Sequence, residues 1–142
     1  MNKLRKTRFE RLKRIEQNRL DRVVNELRKL NQLIERHLSM RHALHERLRE
    51  MFASPDNEPL QIRTSRNESI DQLQRSLLQL DQRVQELKAE KQTLLEKCYH
   101  HRGKVKGWEI MLDKIKVEYQ SEIARTEMAE ADDRVLSKHR SH

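Results

Sequence analysis

Seven histidines and one cysteine are the side chains of this 142-residue chain best suited to holding a metal. His42 and His45 stand three residues apart, which on a helix puts both rings on one face, and Cys98-x-x-His101 repeats the spacing. Zinc ordinarily takes four ligands, and each pair offers two. Cys98 and His101 also fall on an apolar series traced below, where a small thiol and a ring with its edge in water serve without a metal. The stretch expected to face His42 and His45, residues 76–79, holds no Cys, His, Asp or Glu to complete a site. No metal site is assigned. Catalysis has less to draw on still: there is no Gly-rich phosphate loop, no nucleophile elbow and no carboxylate pair spaced for a pocket. The chain is read as non-enzymatic, with no cofactor and no catalytic residue.

What does accumulate is positive charge. The formal net charge is +8, and Lys3, Arg5, Lys6, Arg8, Arg11, Lys13, Arg14, Arg19 and Arg22 face only Glu10, Glu16 and Asp21 in the opening segment. A solvated helix face accounts for any one of these charges. Together they also describe a docking surface for an acidic partner, with Lys3, Arg5, Lys6, Arg8, Lys13 and Arg14 as its members. Nucleic acid is a third reading, but the charges are spread around the helix and no aromatic platform for bases accompanies them. Basic residues at a helix N-terminus oppose the macrodipole, which weighs toward a functional reason for them.

The elements that carry these residues follow from period. From Ile70 the series Leu73, Leu77, Leu80, Val84, Leu87, Lys91, Leu94, Cys98, His101, Val105, Trp108, Leu112, Ile115, Tyr119 keeps a three-four spacing throughout. A stripe repeating every ~3.5 residues stays buried only against a helix that winds with it. An earlier stripe runs Phe9, Glu16, Leu20, Val23, Leu27, Leu30, Ile34, His37, Arg41, Leu44, Leu48, Met51, with Leu12 and Ile15 beside it. Between the two, Ser54-Pro55 and Glu58-Pro59 remove backbone donors and push the residues before them out of helix, and Asp56 and Asn57 add turn chemistry. Ser65-x-x-Glu68 has the spacing of a capping box. The expectation is an all-α chain in one coiled-coil domain over 1–142: helix 3–52, loop 53–64 and helix 65–138, folded into a two-helix antiparallel hairpin whose second helix is the longer.

If Met51 faces Ile70, facing positions keep a constant sum of 121. Ile34 then meets Leu87, Leu27 meets Leu94, Glu16 meets Val105, His101 meets Leu20, and Lys13 lies opposite Trp108 in cation–π position. A shift of one heptad preserves the match. With the sum at 121, residues 120–142 have nothing opposite them, an overhang on the order of 30 Å if helical. Gly103 and Gly107 fall on the outer face, where they permit a bend or a close approach, or are merely tolerated.

Hydrophobic residues are 35% and charged residues 38%, with two Gly and two Pro, which suits long helices and leaves no thick core in which to enclose a small molecule. A single cysteine excludes an internal disulfide and fits a reducing compartment. No apolar run approaches the ~20 residues that span a bilayer, and the N-terminus lacks the apolar centre of a signal peptide. A cytoplasmic protein is expected.

Phe9-x-Arg11-Leu12 near the start, a turn in mid-chain, and a late stretch running from Trp108-Glu109 and Leu112 through Tyr119, Glu122, Arg125 and Glu127 to Asp132-Asp133 resemble the FliJ-type family. These are stalk proteins of flagellar export, with YscO-type relatives in type III injectisomes. The acidic pair here is Asp-Asp where the family more commonly has Asp-Glu, and Met128 stands where Gln is usual. The resemblance implies an antiparallel coiled coil, similar to a rotary ATPase stalk, whose joined termini enter the hexameric ring of the export ATPase and promote ring assembly and ATP hydrolysis. It implies further contacts with the cytoplasmic domain of the export gate and with export chaperones. It also implies peripheral association with the inner-membrane export apparatus without insertion into the bilayer, no nucleic acid, and a monomer. On this reading the tip consists of Phe9, Arg11 and Leu12 on one side and Tyr119, Glu122, Arg125, Glu127, Asp132 and Asp133 on the other. The rivals are a general cytoplasmic coiled-coil scaffold or adaptor and, behind it, a basic coiled coil that binds nucleic acid.

Overall fold

A computed structural model of the chain describes residues 2–53 and 58–140. They form a helical hairpin of two elements, α1 (Asn2–Phe52) and α2 (Leu60–Arg140), and among the described residues there is no strand. The all-α fold expected from the period is the fold observed. The turn chemistry assigned to Ser54, Pro55, Asp56 and Asn57 lies outside the described residues.

The start of α2 differs from the expectation. Helix begins at Leu60, not Ser65, and it runs to Arg140, not to 138. Glu58 is non-helical, as the following proline requires. Pro59, however, sits where a missing N–H costs nothing, and its carbonyl already accepts the first helical hydrogen bond, from the Arg63 N–H at 3.1 Å. Arg66 pairs with the Glu58 carboxylate and ties the first two turns to the residue before them. Ser65 and Glu68 are therefore exposed positions within a helix, and their capping-box spacing is unused.

The chain groups into two compact units, each built from a piece of both helices. In the unit from Arg22 to Cys98, Leu30, Ile34 and Leu87 form the core, with Leu33 and Leu94 packed against it. Leu87 has no exposed surface and Val84 has 1%. The buried residues Val23, Leu30, Ile34 and Leu48 of α1, and Val84, Leu87 and Cys98 of α2, all belong to the two stripes. Leu87 sits among Leu30, Leu33 and Ile34, a knob in a hole rather than a partner to one residue. Where Arg41 crosses the seam its Nε stands 2.9 Å from Asp81 Oδ1, a charge contact without the alignment of a hydrogen bond. His37 turns Nδ1 back to the Leu33 carbonyl at 2.9 Å.

The other unit joins α1 up to Asp21 with α2 from Tyr99 onward. Its buried residues are Glu16, Val105 and Ile115. From Lys116 to His139 every residue of α2 is exposed, so the helix continues well past the last buried position, Ile115. Gly103 and Gly107 have open space around the position a Cβ would take and no left-handed backbone, so neither a close approach nor a turn requires them.

Replacing Leu87 by Ala should lower unfolding free energy by about 2–5 kcal/mol, since it empties a site the short seam layer cannot refill. Leu78→Ala, on the 61%-exposed face, should stay within about 0.5 kcal/mol. Urea unfolding followed by circular dichroism measures both, and equal losses would mean that α2 does not bury the Leu87 face.

Candidate functional site

The candidate site is the end of the second unit, where the start of α1 lies against the middle of α2. Phe9 and Trp108 form a tilted pair with centroids 5.4 Å apart, and Arg5 lies over the Phe9 ring at 5.7 Å. Both rings are on the seam, so an aromatic pair forms one layer of the core near this end. Lys13, expected over Trp108, instead forms an ion pair with Glu109 at 3.5 Å.

One turn further along α1, Glu16 is buried to 6% exposure. Its partner across the seam is His101, one turn along α2 from the Val105 that the constant-sum register places opposite it. The His101 Nδ1 lies 2.9 Å from Glu16 Oε2. A carboxylate can only accept, so this nitrogen carries the proton. Oε1 of the same carboxylate takes Arg19 at 3.0 Å and Lys104 at 3.7 Å. The hydrogen bond from His101 holds the Glu16 carboxyl below the ordinary carboxylate range; burial opposes this, and the charges of Lys104 and Arg19 add to it. The sequence carried a signal for the pair: Glu16 is the acidic interruption of its stripe and His101 a basic interruption of the other, and each stands one turn from the residue that the constant-sum register sets opposite it.

Beyond Phe9 the two helices leave a cleft of about 620 Å³. Its floor is apolar, from Leu112, Ile115, Tyr119 and Ile123, and its rim carries Lys3, Lys6 and Lys116 with Glu10 and Asp113. Ile123 was missed by the sequence reading, although it continues the apolar series one step past Tyr119. Of the residues assigned to the tip, Phe9 and Leu12 are half-buried and Arg11 is exposed. Tyr119 lines the cleft, while Glu122, Arg125, Glu127, Asp132 and Asp133 lie exposed along α2 beyond it. Of the basic set, Lys3 and Lys6 line the cleft, Lys13 pairs with Glu109, and Arg5 covers Phe9. Arg8 and Arg14 are exposed. The described residues contain no group of three His, Cys, Asp or Glu placed to hold a metal ion, and none of their helices is long and apolar enough to cross a membrane. An apolar floor rimmed by lysines can take the apolar face of a helix or strand whose flanks are acidic.

At pH 7, Glu16→Gln should cost about 1–3 kcal/mol through loss of a charged acceptor. The folded carboxyl titrates below its unfolded value near 4.5, so its contribution is complete above that pH and vanishes as the pH falls through the lower folded value. Urea unfolding of the two proteins should therefore converge toward the acid end. A gap of constant size would assign the effect to packing instead of charge.

No family model matches the chain, and neither a curated protein nor a solved structure is significantly similar to it.

Proposed function

We propose that this protein is a non-enzymatic stalk of a type III or flagellar export ATPase complex, and that its terminal end enters the hexameric ATPase ring. The observation that carries the reading is the long continuation of α2: residues 124–139 are helical and exposed, directly beyond a cleft formed with the first turns of α1. A helix held out from its own core offers side chains on every face, which suits a part that must touch several subunits of a ring at once. The lysine-rimmed cleft suits an acidic, partly apolar segment of such a subunit. The resemblance of Phe9-x-Arg11-Leu12 and of the stretch from Tyr119 to Asp132-Asp133 to the FliJ-type family supplies the identity of the partner.

In this reading the hairpin seam gives the stiffness, and the charged, asymmetric tip contacts the ring unequally and favours its closed, hydrolytically active assembly. The cytoplasmic domain of the export gate and the export chaperones are the further partners, and the protein works at the cytoplasmic face of the inner membrane without entering it.

Adding the purified chain to its cognate export ATPase should raise both hydrolysis and the hexamer fraction. A version ending after Gln120 should keep the helical hairpin, because the residues removed are exposed, yet lose the stimulation. Full stimulation by the shortened chain would remove the projecting helix from the mechanism, and no stimulation by either would leave a scaffold or adaptor as the better reading.

A further inference from the structure

A second apolar stripe runs along α2 on the side away from the hairpin seam. Ile110, Val117, Met128 and Val135 are 50%, 64%, 69% and 56% exposed. With the exposed Lys114, Ser121, Ala124 and Ala131 they occupy 110, 114, 117, 121, 124, 128, 131 and 135, an unbroken four-three spacing. At about 100° per residue, Val117 lies roughly 200° around the helix from the buried Ile115. The stripe is thus opposed to the face that packs on α1. A heptad stripe is covered by another helix, and the charges beside this one say which.

The flanks carry Asp113, Gln120, Glu127 and Arg134 on one edge and Glu118, Arg125 and Asp132 on the other. Two copies laid parallel would set Asp113 against Glu118 and Glu127 against Asp132, both repulsive. Two copies laid antiparallel, with Ser121 facing Ala124, give the layers Ile110–Val135, Lys114–Ala131, Val117–Met128 and Ser121–Ala124, each occurring twice by symmetry. Every large apolar side chain then meets another, and the Lys114 stem lies over Ala131 with its ammonium in water. Along the edges Glu118 meets Arg125, Asp113 meets Arg134 and Gln120 meets Glu127, again each twice. No like charges face each other. Among the described residues Asp113, Glu118 and Arg125 make no ion pair within the chain, and Arg134 reaches only Glu130, at 4.0 Å.

We propose that the partner of this face is a second copy of the chain, and that two α2 helices pair antiparallel through residues 110–135. The monomer implied by the family resemblance is then one side of a concentration-dependent equilibrium. The proposal does not depend on the stalk reading, since it rests on this face alone.

Sedimentation equilibrium of the full chain should show the 17.3 kDa species giving way to twice that mass as concentration rises. Arg125→Glu, which sets Glu118 against a new carboxylate at two symmetric places, should weaken association about tenfold or more. Glu118→Arg should do the same, and the double variant Glu118→Arg/Arg125→Glu should restore it to within a few-fold. The helical content of all three should be unchanged, because both positions are exposed. A strictly monomeric wild type up to ~0.5 mM would overturn the pairing. Equal weakening in the double variant would overturn the antiparallel register, as would a spin-label distance between copies shorter for 117 to 117 than for 117 to 128.

Discussion

Burial of a stripe only about two side chains wide constrains everything else in this molecule. A hairpin of two helices has no third layer, so each apolar residue of α1 can be covered only by α2 and the reverse. Leu87, with no exposed surface among Leu30, Leu33 and Ile34, is what such a seam achieves at its tightest. At most other seam positions the side chains stay half-exposed, and charged stems complete the cover. The arrangement is marginal per layer and gains stability by repetition, which explains why the three-four spacing holds without a slip from Ile70 to Tyr119.

Repetition has a weakness: apolar layers look alike, and a slide of one heptad would pair them nearly as well. The buried carboxylate of Glu16 breaks that degeneracy. In the observed pairing it receives His101, Arg19 and Lys104. Slid by a heptad in either direction, it would lie against Leu94 or Trp108 and lose the hydrogen bond from His101, keeping the contact with Arg19 of its own helix, and a buried carboxylate deprived of a hydrogen bond costs about 1–3 kcal/mol. Arg41 at Asp81 and Lys13 at Glu109 act in the same sense with less force, since both pairs are more exposed than Glu16. Polar residues in the seam thus fix the register that its leucines leave open.

The two helices, the break between them and the overhang were legible because period survives any local ambiguity. What was not legible turned on single contacts. Ser65-x-x-Glu68 has capping spacing, but helix had already begun at Leu60, since Pro59 both stops the preceding backbone and suits a first turn. A spacing rule cannot tell whether a helix upstream has claimed its residues. The constant-sum register put Ile34 in the neighbourhood of Leu87 and did not foresee the Glu16–His101 and Lys13–Glu109 contacts, because apolar layers were matched before charges were. Matching the lone acid of one stripe to a base of the other would have found the pair. The cleft and Ile123 emerge only when both helices are placed, since the residues forming them are more than a hundred positions apart in the chain.

The projecting part of α2 poses the last physical question, why it is helical at all. A free peptide of its length would be marginal in water, but the cost that makes it so lies in nucleation. Here the nucleus is the packed helix behind it, and each further residue adds a hydrogen bond at the cost of its own freedom alone. The composition suits propagation: Ala124, Glu127, Met128, Ala129, Glu130 and Ala131 are strong helix formers, with no Gly or Pro after Gly107, and Glu130 and Arg134 stand at i,i+4. A partner arriving at this segment has a surface to cover and no chain to order. The ordering entropy has already been met by the hairpin, so interactions along the helix go into affinity and not into folding. The same seam that holds the core therefore also prepares the contact surface beyond it.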